Sequence, residues 1–99
     1  MPMTKEQILA FLRNHKQEFS ERYGIERMAL FGSAVRGNLQ PGSDIDLAVE
    51  MRIESKNLHN FLAFKRRLEA EFQCPVDLGI ESTLRPEVKR AIADEMVYV

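Results

Sequence analysis

The stretch FGSAVRGNLQPGSDIDLAVE, residues 31–50, places a Gly-Ser pair ahead of acidic residues that alternate with apolar ones. The alternation has a period of two, which predicts a β-strand whose buried face consists of Ile45, Leu47 and Val49. Asp44 and Asp46 then project from the opposite face. Aspartates on a short apolar strand are disfavoured by low β propensity and by the cost of desolvating a charge. The pattern therefore indicates that something compensates for these two acids; the alternative is that they only begin the strand as turn residues after PGS.

A third acid lies on a similar segment. CPVDLGI, residues 74–80, also alternates and predicts a strand with Asp77 opposite its apolar residues, although an exposed strand end is the alternative reading of this acid. Three clustered carboxylates repel one another, which raises one or more pKa values unless a cation neutralises them. Oxygen-only clusters suit Mg2+, and a carboxylate-bound metal pair is the usual arrangement for phosphoryl or nucleotidyl transfer. The candidate metal ligands are Asp44, Asp46 and Asp77.

The Gly-Ser pair fits the phosphate side of the same chemistry. Gly32 permits a tight turn and a close approach of a ligand to the backbone, and Ser33 begins a short helix whose free N–H groups can hold phosphate. The serine hydroxyl can donate to a triphosphate oxygen. Arg36, one turn further on, either clamps a phosphate or pairs with an acidic side chain, and both roles remain open at this point.

The rest of the chain alternates helical and extended patterns. A first helix is predicted from Thr4 to Gly24, followed by a strand within residues 25–31, a second long helix over residues 57–72 and a short strand in the final VYV. The predicted apolar stripe of the second long helix is Leu58, Phe61, Leu62, Lys65, Leu68 and Phe72. Pro86 suits the first turn of a last helix, whose predicted buried face is Val88, Ile92 and Met96. These elements predict an α/β (α+β) fold with a sheet covered by helices.

Composition narrows the classes of function. The 99 residues are expected to form a single domain over 1–99, and the net charge of −1 provides no positive field for nucleic acid. We therefore expect no direct nucleic-acid partner. We also expect no membrane partner, because no apolar run approaches the roughly 20 residues needed to cross a bilayer. The single cysteine, Cys74, and the lack of a signal-peptide pattern predict a cytoplasmic location.

The spacing of the motif resembles that of a known family. Gly32-Ser33, ten further residues and Asp44-x-Asp46 resemble the signature of polymerase-β-type nucleotidyltransferases, and within them the minimal, MNT-type group. The resemblance implies a small polymerase-β-like fold with a short mixed sheet. It also implies that Asp44 and Asp46 are catalytic residues that bind Mg2+, two ions in the family arrangement, and that Asp77 completes this catalytic metal site. Gly32 and Ser33 are implied to hold the triphosphate of ATP, and Arg36 is a further nucleotide-binding candidate because of its position one turn beyond them. Ala34 is a departure, because many members carry a basic residue there.

Minimal proteins of this kind resemble the antitoxin half of HEPN/MNT toxin-antitoxin pairs. The resemblance implies a protein acceptor. The leading hypothesis is a Mg2+-dependent enzyme that transfers AMP from ATP to a tyrosine hydroxyl of a partner HEPN ribonuclease toxin and so neutralises it. Two alternatives stay open. One is a non-catalytic antitoxin that blocks the toxin by complex formation, and the other is nucleotide transfer to a small molecule, which would require a pocket built by oligomerisation.

Overall fold

The computed structural model describes residues 3–37 and 44–99 of the chain. Within these ranges the helices are α1 (Lys5–Asn14), α2 (Lys16–Tyr23), α3 (Ser33–Arg36), α4 (Leu58–Phe72) and α5 (Pro86–Ile92). The strands are β1 (Ile25–Phe31), β2 (Ile45–Met51), β3 (Val76–Ile80) and β4 (Val97–Tyr98). Among the helices of these two ranges, none is sufficiently long and apolar to span a bilayer.

The four strands form one mixed sheet in the order β3-β2-β1-β4. β1 runs antiparallel to both β2 and β4, whereas β2 and β3 are parallel. Phe31 pairs with Asp46, and Asp46 pairs with Asp77, so these three residues form a row across the sheet. The predicted strands, including the one in the final VYV, are confirmed, and so is the mixed α+β architecture.

One face of the sheet forms the hydrophobic core. The apolar residues of β2 that were predicted to share a face are at most 1% exposed: Ile45, Leu47 and Val49. Helices α1, α2 and α4 contribute further fully buried side chains to the same cluster: Ile8, Leu12, Phe19, Phe64 and Leu68. Burying each such side chain contributes roughly 1.5–3 kcal/mol, so β2 is held firmly while its other face carries charge.

The prediction of a single first helix is wrong, because the helix is interrupted at His15. Thr4 and Gln7 do form the expected capping box, and Gly24 ends α2 with a φ of 74°. At the interruption His15 has φ −109° and ψ 8°, and its Nδ1 lies 2.9 Å from the carbonyl oxygen of Phe11. The imidazole stacks on the Phe11 ring at 4.2 Å. These local contacts of the side chain stabilise a turn where the apolar period alone indicated a continuous helix.

The buried stripe of α4 is also rotated from the predicted one. Phe64, Leu68 and Phe72 face the core, whereas Leu58 is 71% exposed and Leu62 is partly exposed. The sequence contains two overlapping apolar sets at helical spacing, and contact with α2 selects between them, since the Phe64 ring lies 5.0 Å from that of Phe19. In α5 no residue is fully buried. The predicted buried face there is therefore wrong for Val88, which is exposed, while Ile92 and Met96 are half-buried.

An ion-pair group fastens α2 to α4. Arg67 of α4 donates to Glu18 of α2 at 2.7 Å, and Arg22 donates to the same carboxylate at 3.1 Å. The Arg67 guanidinium also lies over the Phe19 ring, 5.4 Å from its centroid. The hydrogen bond from Arg67 is the main reason why the pKa of Glu18 is lowered to about 2.

Truncation of the two apolar positions on α4 should separate the real buried face from the predicted one. We expect Phe64→Ala to lower the free energy of unfolding by about 3–5 kcal/mol, because it empties a fully buried site. Leu58→Ala, the matched control on the exposed side, should change it by less than about 0.5 kcal/mol. Urea unfolding followed by circular dichroism measures both, and equal losses would contradict the assigned orientation of α4.

The Glu18 ion pairs should make stability depend on pH in a defined window. Because the pKa of Glu18 is about 2 in the folded chain against an ordinary 4.5, its contribution is present above about pH 4.5 and is lost as the pH falls towards 2. Wild type should therefore be more stable than Glu18→Gln at pH 7, and the difference should shrink between pH 4.5 and 2. Glu26→Gln, at an exposed position with no ion pair to a described residue, is the control. A difference that stays constant across this range would refute the assignment.

Candidate active site

Two of the three predicted acids are direct neighbours in the sheet. Asp46 on β2 and Asp77 on β3 are partners in the parallel pair, so their side chains project from the same face. Asp44 immediately precedes β2 and is exposed, as is Asp77, whereas Asp46 is half-buried. The alternation predicted from the sequence thus places these carboxylates on the side of the sheet opposite the core.

The charges of this group act most strongly on Asp46. Burial, followed by the charges of Asp77 and Asp44 and by a hydrogen bond with Asp77, raises the pKa of Asp46 to about 6. The positive charge of Arg36 acts in the opposite direction. The charges of Asp44 and Asp77, which are 33 positions apart in sequence, therefore both reach Asp46 in the folded chain.

The Gly-Ser turn lies directly against Asp46. Gly32 has φ 77° and ψ −151°, and a Cβ added to it would overlap the Asp46 carboxylate, coming 2.9 Å from Cγ. A residue with a side chain cannot occupy this position without displacing the acid. Ser33 then begins α3, in which the N–H groups of Val35 and Arg36 donate to the Gly32 carbonyl at 3.1 and 3.2 Å.

Ala34, the departure from the family pattern, belongs to the core. Its side chain is only 2% exposed and packs within the hydrophobic cluster. A long basic side chain at this position would have to leave the core to reach a phosphate. Any cationic contact to phosphate from this turn is therefore left to Arg36, whose side chain is about half exposed.

Sequence reasoning missed Glu95, which contacts two of the predicted phosphate-binding residues. Its Oε1 accepts the Gly32 N–H at 3.1 Å, and its Oε2 accepts Arg36 Nη1 at 2.8 Å. Of the two roles left open for Arg36, the structure shows the ion pair. No pattern in the sequence pointed to Glu95. It stands two residues before β4, and the pairing of β4 with β1 is what brings it to the Gly-Ser turn.

The donor set suits a hard cation, although it does not form a closed cage. Asp46 and Asp77 are paired on neighbouring strands and supply oxygen atoms only, the ligand type that Mg2+ prefers. Across residues 3–37 and 44–99, no group of three or more His, Cys, Asp or Glu side chains is arranged to hold a metal ion. A cation between the acids would relieve the repulsion that raises the pKa of Asp46.

Comparison with known proteins identifies the family. Residues 12–99 match the family of the nucleotidyltransferase domain. The chain belongs to this nucleotidyltransferase family. Protein adenylyltransferase MntA of Thermococcus cleftensis is 36% identical over 97 residues, which cover 98% of this chain and 97% of that protein. The predicted resemblance and the predicted enzyme class, a nucleotidyltransferase, are thereby confirmed.

Solved structures agree with this assignment. A structure described as a "putative minimal nucleotidyltransferase" superposes with a TM-score of 0.78 at 29% identity, covering 96% of this chain and 95% of that one. A toxin-antitoxin structure with AMP-PNP superposes with a TM-score of 0.68 at 19% identity, covering 97% of this chain and 72% of that one. The predicted minimal nucleotidyltransferase fold is confirmed, whereas the roles of the individual site residues stay predictions.

Substitution of two glycines should test the contact between the turn and Asp46. Gly32 and Gly37 both have positive φ values, 77° and 79°, so alanine strains the backbone at either position. The strain is greater at Gly32, because its ψ of −151° belongs to a region that essentially only glycine adopts, whereas the ψ of 15° at Gly37 is left-handed helical. Only at Gly32 does the new Cβ also meet Asp46, since no described atom lies within 4 Å of a Cβ at Gly37. We expect Gly32→Ala to cost about 1–3 kcal/mol more than Gly37→Ala in the free energy of unfolding.

A double variant supplies the control for that experiment. Adding Asp46→Ala removes the carboxylate that the Gly32→Ala methyl group would strike, and should recover part of the additional loss. The same Asp46→Ala change combined with Gly37→Ala should bring no such recovery. If Asp46→Ala brings no recovery in the Gly32→Ala background, the turn does not pack on Asp46, and the additional loss at Gly32 comes from backbone strain alone.

Proposed function

We propose that the chain is a Mg2+-dependent protein adenylyltransferase that transfers AMP from ATP to a tyrosine hydroxyl of a HEPN ribonuclease toxin, and that it thereby acts as an antitoxin. One observation carries the proposal. The Gly32 turn lies against Asp46, and Asp46 pairs with Asp77, so that candidate phosphate and metal ligands share one edge of the sheet. This is the juxtaposition that nucleotidyl transfer requires.

The relatives support the acceptor and the partner. MntA, which matches this chain over nearly its full length, is named a protein adenylyltransferase. Two of the similar folds come from toxin-antitoxin structures, and one of these contains AMP-PNP. Because this chain has the same family fold, we assign it the same properties as these relatives. They are a protein acceptor, a toxin partner and ATP as substrate.

Each candidate residue has a role in the proposed reaction. Gly32, Ser33 and Arg36 would bind the triphosphate, and Asp44, Asp46 and Asp77 would hold Mg2+ in the two-ion arrangement that the family implies. Bound Mg2+ neutralises phosphate charge and lowers the pKa of a coordinated hydroxyl group. In this proposal the acids and the turn together hold the nucleotide at the start of β2, where Asp44 is exposed.

The transfer itself is a single displacement at phosphorus. The tyrosine oxygen of the acceptor attacks the α-phosphorus of ATP, a new P–O bond forms, and the bond to the oxygen bridging the α- and β-phosphates breaks. Pyrophosphate leaves with the electron pair of that bond. In this proposal the proton of the hydroxyl group passes to Asp77, which is exposed beside Asp46, or to whichever of the three acids lies nearest the acceptor.

The Cys74 thiol takes no part in the proposed chemistry. Burial, together with the negative charges of Asp44 and Glu69, raises the pKa of the Cys74 thiol. A raised pKa disfavours the reactive thiolate, so the thiol is expected to be chemically inert. We take the cytoplasm as the place of action and residues 1–99 as one catalytic domain.

A surface away from the acids favours the non-catalytic alternative. Ile53 and Leu58 are 82% and 71% exposed, and Leu58 borders an open groove of about 310 Å³ that Phe61 and Ile80 also line. Exposed apolar residues of this size are typical of protein contact sites. A chain that blocks its toxin by contact alone could use such a surface without transferring AMP.

A transfer assay should decide between these two functions. Incubation of the chain with Mg2+, labelled ATP and a HEPN toxin should label the toxin, and EDTA should abolish the labelling. Asp46→Asn should reduce the rate at least about 100-fold, because it removes a central charge of the proposed site. Glu87→Gln, which changes an exposed acid on α5 by the same charge, should label normally.

Ribonuclease activity of the toxin, measured in the same samples, provides the second readout. Under the catalytic proposal, Asp46→Asn leaves the toxin active, whereas wild type and Glu87→Gln silence it. Full neutralisation by Asp46→Asn in the absence of label would support inhibition by binding and would rule out the enzymatic mechanism. Labelling of a small alcohol but not of the toxin would favour the third hypothesis.

A further inference from the structure

The carboxylate of Glu95 binds the same donors that the proposed function assigns to nucleotide phosphate. One oxygen accepts the backbone N–H of Gly32 at 3.1 Å, and the other accepts the guanidinium of Arg36 at 2.8 Å. Glu95 is distant from both in sequence, by 63 and 59 positions respectively. Its carboxylate thus bridges the backbone and the cation of the turn.

The backbone around Glu95 holds the side chain in this position. The N–H groups of Glu95 and Met96 both donate to the carbonyl of Ile92, at 3.0 and 3.1 Å, and so extend the end of α5 by a turn. Directly beyond, Val97 pairs with Leu30 in the sheet. The Glu95 side chain is 23% exposed, against 53% for Arg36. Glu95 is therefore fixed between the end of α5 and the start of β4, and its side chain does not move freely on the surface.

Carboxylate and phosphate oxygens compete for donors of this kind. Both are anionic acceptors that form charge-assisted hydrogen bonds with backbone N–H groups and with guanidinium groups. A phosphate that takes up Gly32 N–H and Arg36 would bring a second negative group against Glu95, and like charges at this distance repel. The single N–H of Gly32 cannot serve both anions. Arg36 has N–H groups beyond the Nη1 donor that Glu95 uses, but a phosphate bound there would stand against the Glu95 carboxylate and be repelled by it.

We propose that Glu95 is an intramolecular competitor of the nucleotide, occupying the anion position at Gly32 and Arg36 until the triphosphate displaces it. This inference rests on the proposed function, because it needs Gly32 and Arg36 to bind phosphate. Glu95 then sets the affinity for ATP, since binding must first release two hydrogen bonds. Release of the Glu95 carboxylate also affects α5 and β4, because Glu95 lies in the segment that joins these two elements.

Removal of the carboxylate should strengthen nucleotide binding. We expect Glu95→Ala to bind Mg2+-ATP and inorganic tripolyphosphate about two- to fivefold more tightly than wild type, the range expected for loss of a partly exposed ion pair. Isothermal titration calorimetry measures both dissociation constants. Glu87→Ala removes an equal charge from α5, where Glu87 forms no ion pair with a described residue, and should leave them unchanged.

Two further variants connect the effect to the contact. In an Arg36→Ala background, Glu95→Ala should bring a much smaller gain, because the main donor for which the anions compete is absent. Glu95→Gln retains an acceptor for Gly32 N–H and loses the charge, so it should give an intermediate gain. If Glu95→Ala disturbs folding, judged by circular dichroism, Glu95→Gln replaces it in the comparison.

The outcomes separate this inference from the proposed function. Equal or weaker binding by Glu95→Ala and Glu95→Gln, with wild type binding ATP normally, overturns the competitor role and leaves the adenylyltransferase proposal intact. Absence of binding to wild type and to both Glu95 variants overturns the inference together with the proposed function. Tighter binding by the Glu95 variants without any transfer to a toxin supports the competitor role and removes the catalytic proposal.

Discussion

The contact between the Asp46 carboxylate and the backbone of Gly32 is the constraint on which the candidate site depends. A Cβ at Gly32 would overlap that carboxylate, so the turn that follows β1 can approach β2 only because this residue lacks a side chain. The pairing of Phe31 with Asp46, and of Asp46 with Asp77, continues the same row across the sheet. A single close approach thus ties phosphate-binding candidates to metal-binding candidates.

This arrangement concentrates negative charge. The fold tolerates it because one face of β2 carries the acids while the other packs into the hydrophobic core. Asp46 is half-buried among like charges that raise its pKa, which is unfavourable for an ionised group. Ile45, Leu47 and Val49, on the opposite face, are held in the core. The burial of these apolar side chains offsets the cost of holding an ionised Asp46 beside other acids. The strand therefore stays in place although its other face carries repelling charges.

The strands and the clustering of acids could be predicted because they depend on a period of two and on a spaced Gly-Ser and Asp-x-Asp motif, both local features. The interruption at His15 and the buried face of α4 could not, because they depend on ring stacking and on which of two apolar sets meets Phe19. The role of Glu95 could not be predicted for a third reason. Its partners are set by the pairing of β4 with β1, which brings together residues that are far apart in sequence.

The parallel pairing of β2 with β3 has a consequence for how the molecule assembles. β1 and β2 can pair within residues 25–51, whereas β3 reaches β2 only after residues 52–75 have formed a crossover that includes α4. Closing that longer loop costs chain entropy, and non-local pairing of this kind slows folding. A chain with β1 and β2 paired but β3 still free has the Gly32 turn and Asp46 without Asp77. Complete grouping of the acids is therefore a property of the finished sheet.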